Sequence, residues 1–194
     1  MEHTPSSVIC YQIDSLIRNN HGRYSLIWPM KFKNITLCTT HIDSRLGGVR
    51  LVASDRGLAG VWFDAQRHFP DMTGWEPSDA HPVLLEAAAQ LHDYFDGKRQ
   101  HFDLPLDLSH GTAFHQSVWQ ALLAIPAGAT TSYGRLSAGI GKPAAVRAVG
   151  AAVGRNPISV IVPCHRVLGS GGALTGYAGG LDRKTALLEL EGAL

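Results

Sequence analysis

Cys164 lies in the run NPISVIVPCHRVLGSGGALTGYAGG, residues 156–180, between a proline and a histidine and ahead of six glycines. A thiolate is a strong, soft nucleophile, and a nearby base or positive charge makes more of it available at neutral pH. His165 is the base closest in sequence. Adjacent side chains on a strand face opposite ways, so the pair can cooperate only through a turn or a bridging water. Pro163 favours such irregular backbone. A second reading of the same residues is that Cys164 closes a buried strand, SVIV, as a small hydrophobe, with His165 at the surface. Spacing excludes several thiol chemistries. A phosphatase loop needs arginine six positions after the cysteine, and Ser170 stands there. The papain-type context C-G-[SA]-C-[WY] is absent. The glycines do not spell G-x-G-x-x-G, and GIGKP lacks the spacing and the Ser/Thr of a P-loop.

The 194 residues suffice for one large domain or two small ones, and 45% hydrophobic content allows a packed core. No run approaches the roughly 18 apolar residues of a membrane span, and no signal pattern opens the chain, so a cytoplasmic protein without a membrane partner is expected. Three cysteines, Cys10, Cys38 and Cys164, with no C-x-x-C pair, argue against a disulfide framework and fit a reducing compartment. No close ligand spacing marks a metal site. Residues 1–110 carry 10 Lys/Arg against 13 Asp/Glu, and residues 111–194 carry 7 against 3. This asymmetry points to a polyanion at the C-terminal part.

Several elements must position the thiol. Residues 1–36 have no steady period and read as loop or extension. Residues 37–42, 49–54 and 58–63 read as strands, with a hairpin turn at RLGG. A polar loop runs to about residue 79. Asp79 is a candidate cap for a helix from Pro82 to Asp96, with Leu84, Leu85, Ala88, Leu91 and Phe95 on its apolar face. A boundary falls near residues 100–110. Beyond it, Thr112 can cap a helix through Leu123, and Thr131 or Ser132 can cap a short helix ending in glycine. A further helix, Ala144 to about Val153, follows. The last two form a helix-turn-helix candidate, or equally an ordinary helical hairpin in a core.

IVPCHRV resembles the active-site signature of the methylated-DNA–protein-cysteine S-methyltransferases, the O6-alkylguanine-DNA alkyltransferases. The resemblance covers nearly all of residues 111–191, and THIDSRLGGVRLVASDRGLAGVWFD is similar to the start of that family's N-terminal domain. One departure is His115, where glutamine is usual, which bears on local helix packing. The resemblance implies an α+β fold. A small RNase H-like α/β domain (37–108) would precede a helical, winged-helix-like domain with a helix-turn-helix (109–194), leaving 1–36 unassigned.

It also implies roles. Cys164 would take the alkyl group from O6 of guanine, or O4 of thymine, in one in-line displacement, and the protein would be consumed. His165 would draw off the thiol proton through a water, and Glu191 would orient that histidine. Asn156 would hydrogen-bond within the turn framing the site. Tyr133 would help rotate the nucleotide and give a proton to the leaving base. Arg147 would fill the gap left by the flipped base, and Tyr177 and Lys184 would line its pocket. Ser132, Ala148 and Gly150 would face the DNA, and Ser159 would leave room for larger adducts. No cofactor is implied, and the partner is double-stranded DNA bound by a monomer. Binding-only members of this fold lack the reactive cysteine, so the intact PCHRV argues against that class. Fused regulators carry a cysteine-rich N-terminal module, whereas residues 1–36 hold only Cys10.

Chemistry on a stacked base requires extruding it, at a cost of a few kcal/mol. Such binding must be largely independent of sequence, through phosphates and an inserted wedge. A helix of Ala, Gly and Val with one arginine suits that task, since it approaches closely without reading base edges.

Overall fold

The computed structural model describes residues 36–194; the readings of residues 1–35, including Cys10, lie outside them. Four strands, β1 (Cys38–Ile42), β2 (Val49–Ser54), β3 (Gly57–Phe63) and β4 (Glu76–Pro77), form a sheet of order β3-β2-β1-β4. β1, β2 and β3 pair antiparallel in turn, and β4 adds parallel to β1. The first hairpin turns where RLGG predicts, closed by Ser44 and Gly47. β4 is hidden in the stretch that reads as loop, because two residues carry no period. A register shift between Val52 and Ala53 breaks the alternation of β3. Leu58 thereby joins Val61 and Phe63 in the main core, while Trp62 faces a second cluster with Val52, Phe69 and Trp75.

Helix α1 (Pro82–Phe95) covers the main face of the sheet. Two expectations about it are corrected. Its N-cap is His81, which makes no side-chain cap bond. Asp79 instead accepts from the Thr40 hydroxyl at 3.1 Å, tying the helix approach to β1. The buried face runs through Leu84, Ala87, Leu91, Tyr94 and Phe95, and Leu85 is 55% exposed. The face turns toward Tyr94 because a buried tyrosine needs a hydrogen-bond partner, and Glu191 supplies one.

The C-terminal half holds α2 (Ala113–Leu123), α3 (Tyr133–Gly139), α4 (Val146–Gly154) and α5 (Leu181–Leu190). A parallel pair joins β5 (Thr131–Ser132) to β6 (Val167–Leu168). Thr112 caps α2 and Ser132 caps α3, each accepting a backbone N–H three residues on. α4 begins later than the sequence predicts. Pro143–Ala145 form a 3-10 turn first, and the helix proper starts at Val146. His115 stacks on Trp119, with ring centroids 5.4 Å apart and planes at 10°. The Trp119 indole N–H is donated to Ala152 O at 3.0 Å, which seats α2 on α4. Among the described residues no helix is long and apolar enough to cross a membrane.

The two halves meet along the outer edge of β3. Leu58 bridges to Leu106, and Val61 bridges to Ile158. Val61 N–H donates to Pro157 O, and Ser159 N–H to Val61 O, both at 2.9 Å. An exposed sheet edge is a ready template for pairing; here it is spent on the linker and on the segment leading to Cys164. At Gly57 (φ +142°) an added Cβ would lie 2.3 Å from Pro105 O, so only glycine admits the linker.

His110 packs against Trp119, with centroids 5.7 Å apart, and burial lowers its pKa to about 4 although Asp107 opposes the shift. In the unfolded chain it titrates near 6.5. The unfolded state therefore binds more protons between these values, and stability falls as pH drops through that window, by about 1.4 kcal/mol per unit at most from this group. The melting temperature is expected to hold from pH 8 to 7 and to fall below about pH 6.5, less steeply in His110→Phe. An equal slope in that variant would contradict the assignment.

Candidate functional site

The SVIV stretch is not a strand. It passes through Val160 at φ +73°, a left-handed conformation uncommon for a β-branched residue. Ile161 N–H bonds to Ser159 O, and Cys164 N–H to Val162 O at 2.8 Å, so the chain coils tightly before the cysteine. Cys164–Arg166 then form a single 3-10 turn. The turn supplies the irregular backbone that Pro163 leads one to expect, and it buries Cys164, His165 and Arg166 together. The reading of His165 as a surface residue is therefore excluded, since it is fully buried.

Asn156 organises this coil. Its Nδ2 donates to Val162 O at 2.7 Å and lies 3.1 Å from Cys164 Sγ, while its Oδ1 accepts from Ile158 N–H at 3.0 Å. Burial pushes the Cys164 thiol pKa up, against the opposing pull of the Asn156 hydrogen bond and the Lys184 charge. At rest the sulfur is a protonated thiol, and reaction needs a base.

His165 has the form of that base. Its Nε2 meets Glu191 Oε1 at 3.0 Å. Its Nδ1 is buried and has no hydrogen-bond partner among the described residues. Burial lowers its pKa below 6.5, outweighing Glu191, so the ring is neutral near pH 7. With the proton on Nε2 and shared with the carboxylate, Nδ1 holds the free lone pair.

Glu191 is the C-cap of α5 and is buried, not frayed. Burial would raise its pKa, but hydrogen bonds from His165 and Arg166 prevail and hold it at about 2. Arg166 grips it bidentately, Nε to Oε2 and Nη2 to Oε1, both at 2.8 Å, and also bonds to Ile125 O. The Tyr94 hydroxyl, from α1 in the N-terminal half, donates to Oε1 at 2.6 Å. Arg166 and Tyr94 are the two members that sequence reasoning missed. Arg166 sits inside the PCHRV motif, two residues past the cysteine, and its position there was the available signal. Tyr94 is 97 residues from its partner and had none.

The remaining candidates fall around this centre. Tyr133 opens α3, with its hydroxyl 3.3 Å from Gly176 O. Its pKa is raised by burial and by the Cys164 sulfur. Tyr177 stands edge-on to His165 at 6.5 Å, its hydroxyl near Ser159 without a well-formed hydrogen bond. Ser159 donates to Gln66 Oε1 at 3.3 Å. Lys184 lies behind the pocket wall, fully buried, with Nζ donating to Val167 O at 2.6 Å and Thr175 O at 2.8 Å. Burial lowers its pKa to about 8. It braces the glycine-rich loop against β6. Ser132 spends its oxygen capping α3. Val149, Ala152 and Val153 bury one side of α4, while Arg147 and Ala148 are exposed. Gly150 faces the Tyr133 ring, which an added Cβ would meet at 3.7 Å, an ordinary contact distance.

A family model described as the DNA binding domain of 6-O-methylguanine DNA methyltransferase matches residues 113–193. A second, for the ribonuclease-like domain of the same protein, matches residues 37–108. A methylated-DNA–protein-cysteine methyltransferase of Mycobacterium tuberculosis is 49% identical over 150 residues, which is 77% of this chain and 89% of that protein. An inducible one from Bacillus subtilis is 45% identical over 152 residues, 78% of this chain and 83% of the relative. Among solved structures, Mycobacterium tuberculosis OGT in complex with DNA matches with a TM-score of 0.73 at 47% identity, covering 81% of this chain and 93% of that one.

Proposed function

The chain belongs to the methylated-DNA–protein-cysteine methyltransferase family, and we propose from that premise that it repairs DNA by moving an alkyl group from O6 of guanine, or O4 of thymine, irreversibly onto Cys164. The observation that carries this reading is the sulfur, held 3.1 Å from Asn156 beside a neutral His165 that is itself fixed by Glu191 at 3.0 Å. That is the nucleophile, base and orienter of an activated nucleophile.

The step balances without a cofactor. One water carries the thiol proton from Sγ to His165 Nδ1. The sulfur attacks the alkyl carbon in line, an S–C bond forms and the C–O6 bond breaks. Guanine leaves with the electron pair and takes up one proton at the base, for which Tyr133 is the donor we favour, so the proton lost by the thiol is matched. The emerging imidazolium is paired with Glu191, whose charge persists because its pKa is held at about 2. A thioether has no ready leaving route, so each molecule acts once.

Residues 109–194 carry DNA binding and transfer on this reading, and residues 37–108 support the reactive coil through the edge of β3. The exposed side of α4 lies against the DNA, with Ala148 and Gly150 allowing close approach, Ser132 nearby, and Arg147 filling the space of the extruded base. Tyr177 walls the base pocket and Lys184 holds its loop in place. Free thiols at Cys38 and Cys164 suit a reducing cytoplasm. With a duplex bearing one O6-methylguanine in excess, repaired strand is expected to appear in a burst equal to the protein present and then stop. Continued turnover, or no repair while the DNA is bound, would overturn the reading.

A further inference from the structure

We infer that Arg183, on α5, is a positioning residue for alkyl transfer: it ties the wall of the base pocket to the N-terminal half, so that the first hairpin and the end of β3 set the place of the Tyr177 ring. The inference rests on the alkyl-transfer reading and adds to it a residue outside the Cys164, His165 and Glu191 centre. A cavity of about 110 Å³ lies beside Tyr133 and Gly150, and Gly176, Tyr177 and Ala178 form one wall of it. Two consecutive basic residues of α5 grip this wall at both ends. Lys184 Nζ donates to Thr175 O at 2.8 Å, and Arg183 Nη1 donates to Gly179 O at 3.2 Å. Between them, Tyr177 O accepts from Gly180 N–H at 3.1 Å and Ala178 O from Arg67 N–H at 2.9 Å.

The rest of the Arg183 guanidinium belongs to the N-terminal half. Nε donates to Leu46 O at 2.9 Å, in the RLGG turn, and Nη1 spends its second hydrogen on Asp64 O at 3.3 Å, just past β3. The group lies over the Phe63 ring, 4.7 Å from its centroid. Gly47, left-handed at φ +101°, closes the turn against it: an added Cβ would stand 3.1 Å from Nη2. A planar fork of fixed donors can hold carbonyls of three separate segments at once. An ammonium on a flexible stem has the charge without that geometry.

Gly179 passes the restraint to the ring. A Cβ there would lie 2.7 Å from Tyr177 Cε1 and 3.3 Å from Phe63 Cδ2, so the tyrosine packs directly on the Gly179 backbone and Phe63 packs beside it. Releasing Gly179 O therefore loosens the ring that walls the pocket. The reactive centre keeps its own bonds, since Asn156 holds Cys164 and Arg166 holds Glu191. The loss falls on the placement of the base, where a displacement of about 1 Å can cost about 10² in rate.

The test compares the full chain with Arg183→Ala and Arg183→Lys. Transfer is followed with saturating duplex bearing one O6-methylguanine: the burst amplitude counts the active molecules, and the burst rate reads capture of the base and transfer. The same sulfur is challenged with iodoacetamide, which needs no base pocket, and its alkylation is located at Cys164 by peptide mapping. Duplex affinity is measured against salt. In Arg183→Ala the burst rate is expected to fall by about tenfold or more, with iodoacetamide alkylation, duplex affinity and its salt slope unchanged. Arg183→Lys, which keeps the charge and loses the fork, is expected to stay about threefold below the wild type; should Arg183→Ala give a low burst amplitude through poor folding, this variant carries the comparison. Equal losses toward both electrophiles, an unchanged burst rate, full recovery by lysine, or a shallower salt slope marking a phosphate contact would each overturn the positioning role. No burst from the wild-type chain would overturn the alkyl-transfer reading and this role with it, a result distinct from a wild-type burst that the variants share.

Discussion

Cys164→Ala is expected to abolish alkyl transfer while leaving binding to lesion-bearing duplex within about twofold, since phosphate contacts dominate such affinity. The substitution removes the only sulfur in the buried coil. Its cost to the fold is small, because Asn156 Nδ2 keeps Val162 O at 2.7 Å as acceptor. No neighbouring side chain replaces the nucleophile. Cys38 lies on β1, and His165 Nε2 is engaged by Glu191. Mobility shift with lesion and undamaged duplexes, alongside assay of the repaired strand, checks both halves of the statement. Residual transfer in the variant would mean that another group accepts the alkyl.

Glu191→Gln is expected to slow transfer by about 10² or more without preventing it, the range that a positioned base contributes. The carboxylate fixes the His165 tautomer and carries the negative charge that meets the imidazolium. An amide can keep the hydrogen bond but not the charge. The change also leaves the buried Arg166 guanidinium unbalanced, and breaking such a pair costs about 3–5 kcal/mol, so folding must be monitored by melting. The discriminating readout is the pH profile. In the wild type, transfer holds down to pH 6.5 and falls only below it, because burial lowers the pKa of His165 and only the neutral ring accepts a proton. Without the Glu191 charge, which pulls that pKa up, the fall moves to still lower pH in Glu191→Gln. A rate loss with an unmoved profile would reduce Glu191 to a structural role. Tyr94→Phe, which removes one hydrogen bond and no charge, should give a smaller loss in the same direction.

The chemistry at Cys164 was legible because it is local. Cys164 and His165 are neighbours, which makes them a visible candidate pair, and the strands and caps around them follow from alternation and from Thr112 and Ser132. The roles of Asn156 and Glu191 came only through resemblance. What could not be read depends on contacts between distant segments. Tyr94 takes part because α1 is rotated to bring its hydroxyl to Glu191. Leu58 is buried because a bulge breaks the period of β3. Asp79 is lost as a cap because Thr40 holds it. The strand reading of SVIV failed for a related reason. Four of the residues preceding Cys164 favour extended structure, yet Asn156 and the edge of β3 take the backbone hydrogen bonds that a strand partner would need.

The most direct measurement is the intact mass of the full chain, followed by peptide mapping, after incubation with a duplex carrying a single O6-methylguanine. One methyl per chain, located on Cys164, with guanine restored in the DNA, is the expected result. A chain that binds the duplex and gains no mass, or gains the methyl at another residue, would contradict the assignment of Cys164 as the acceptor.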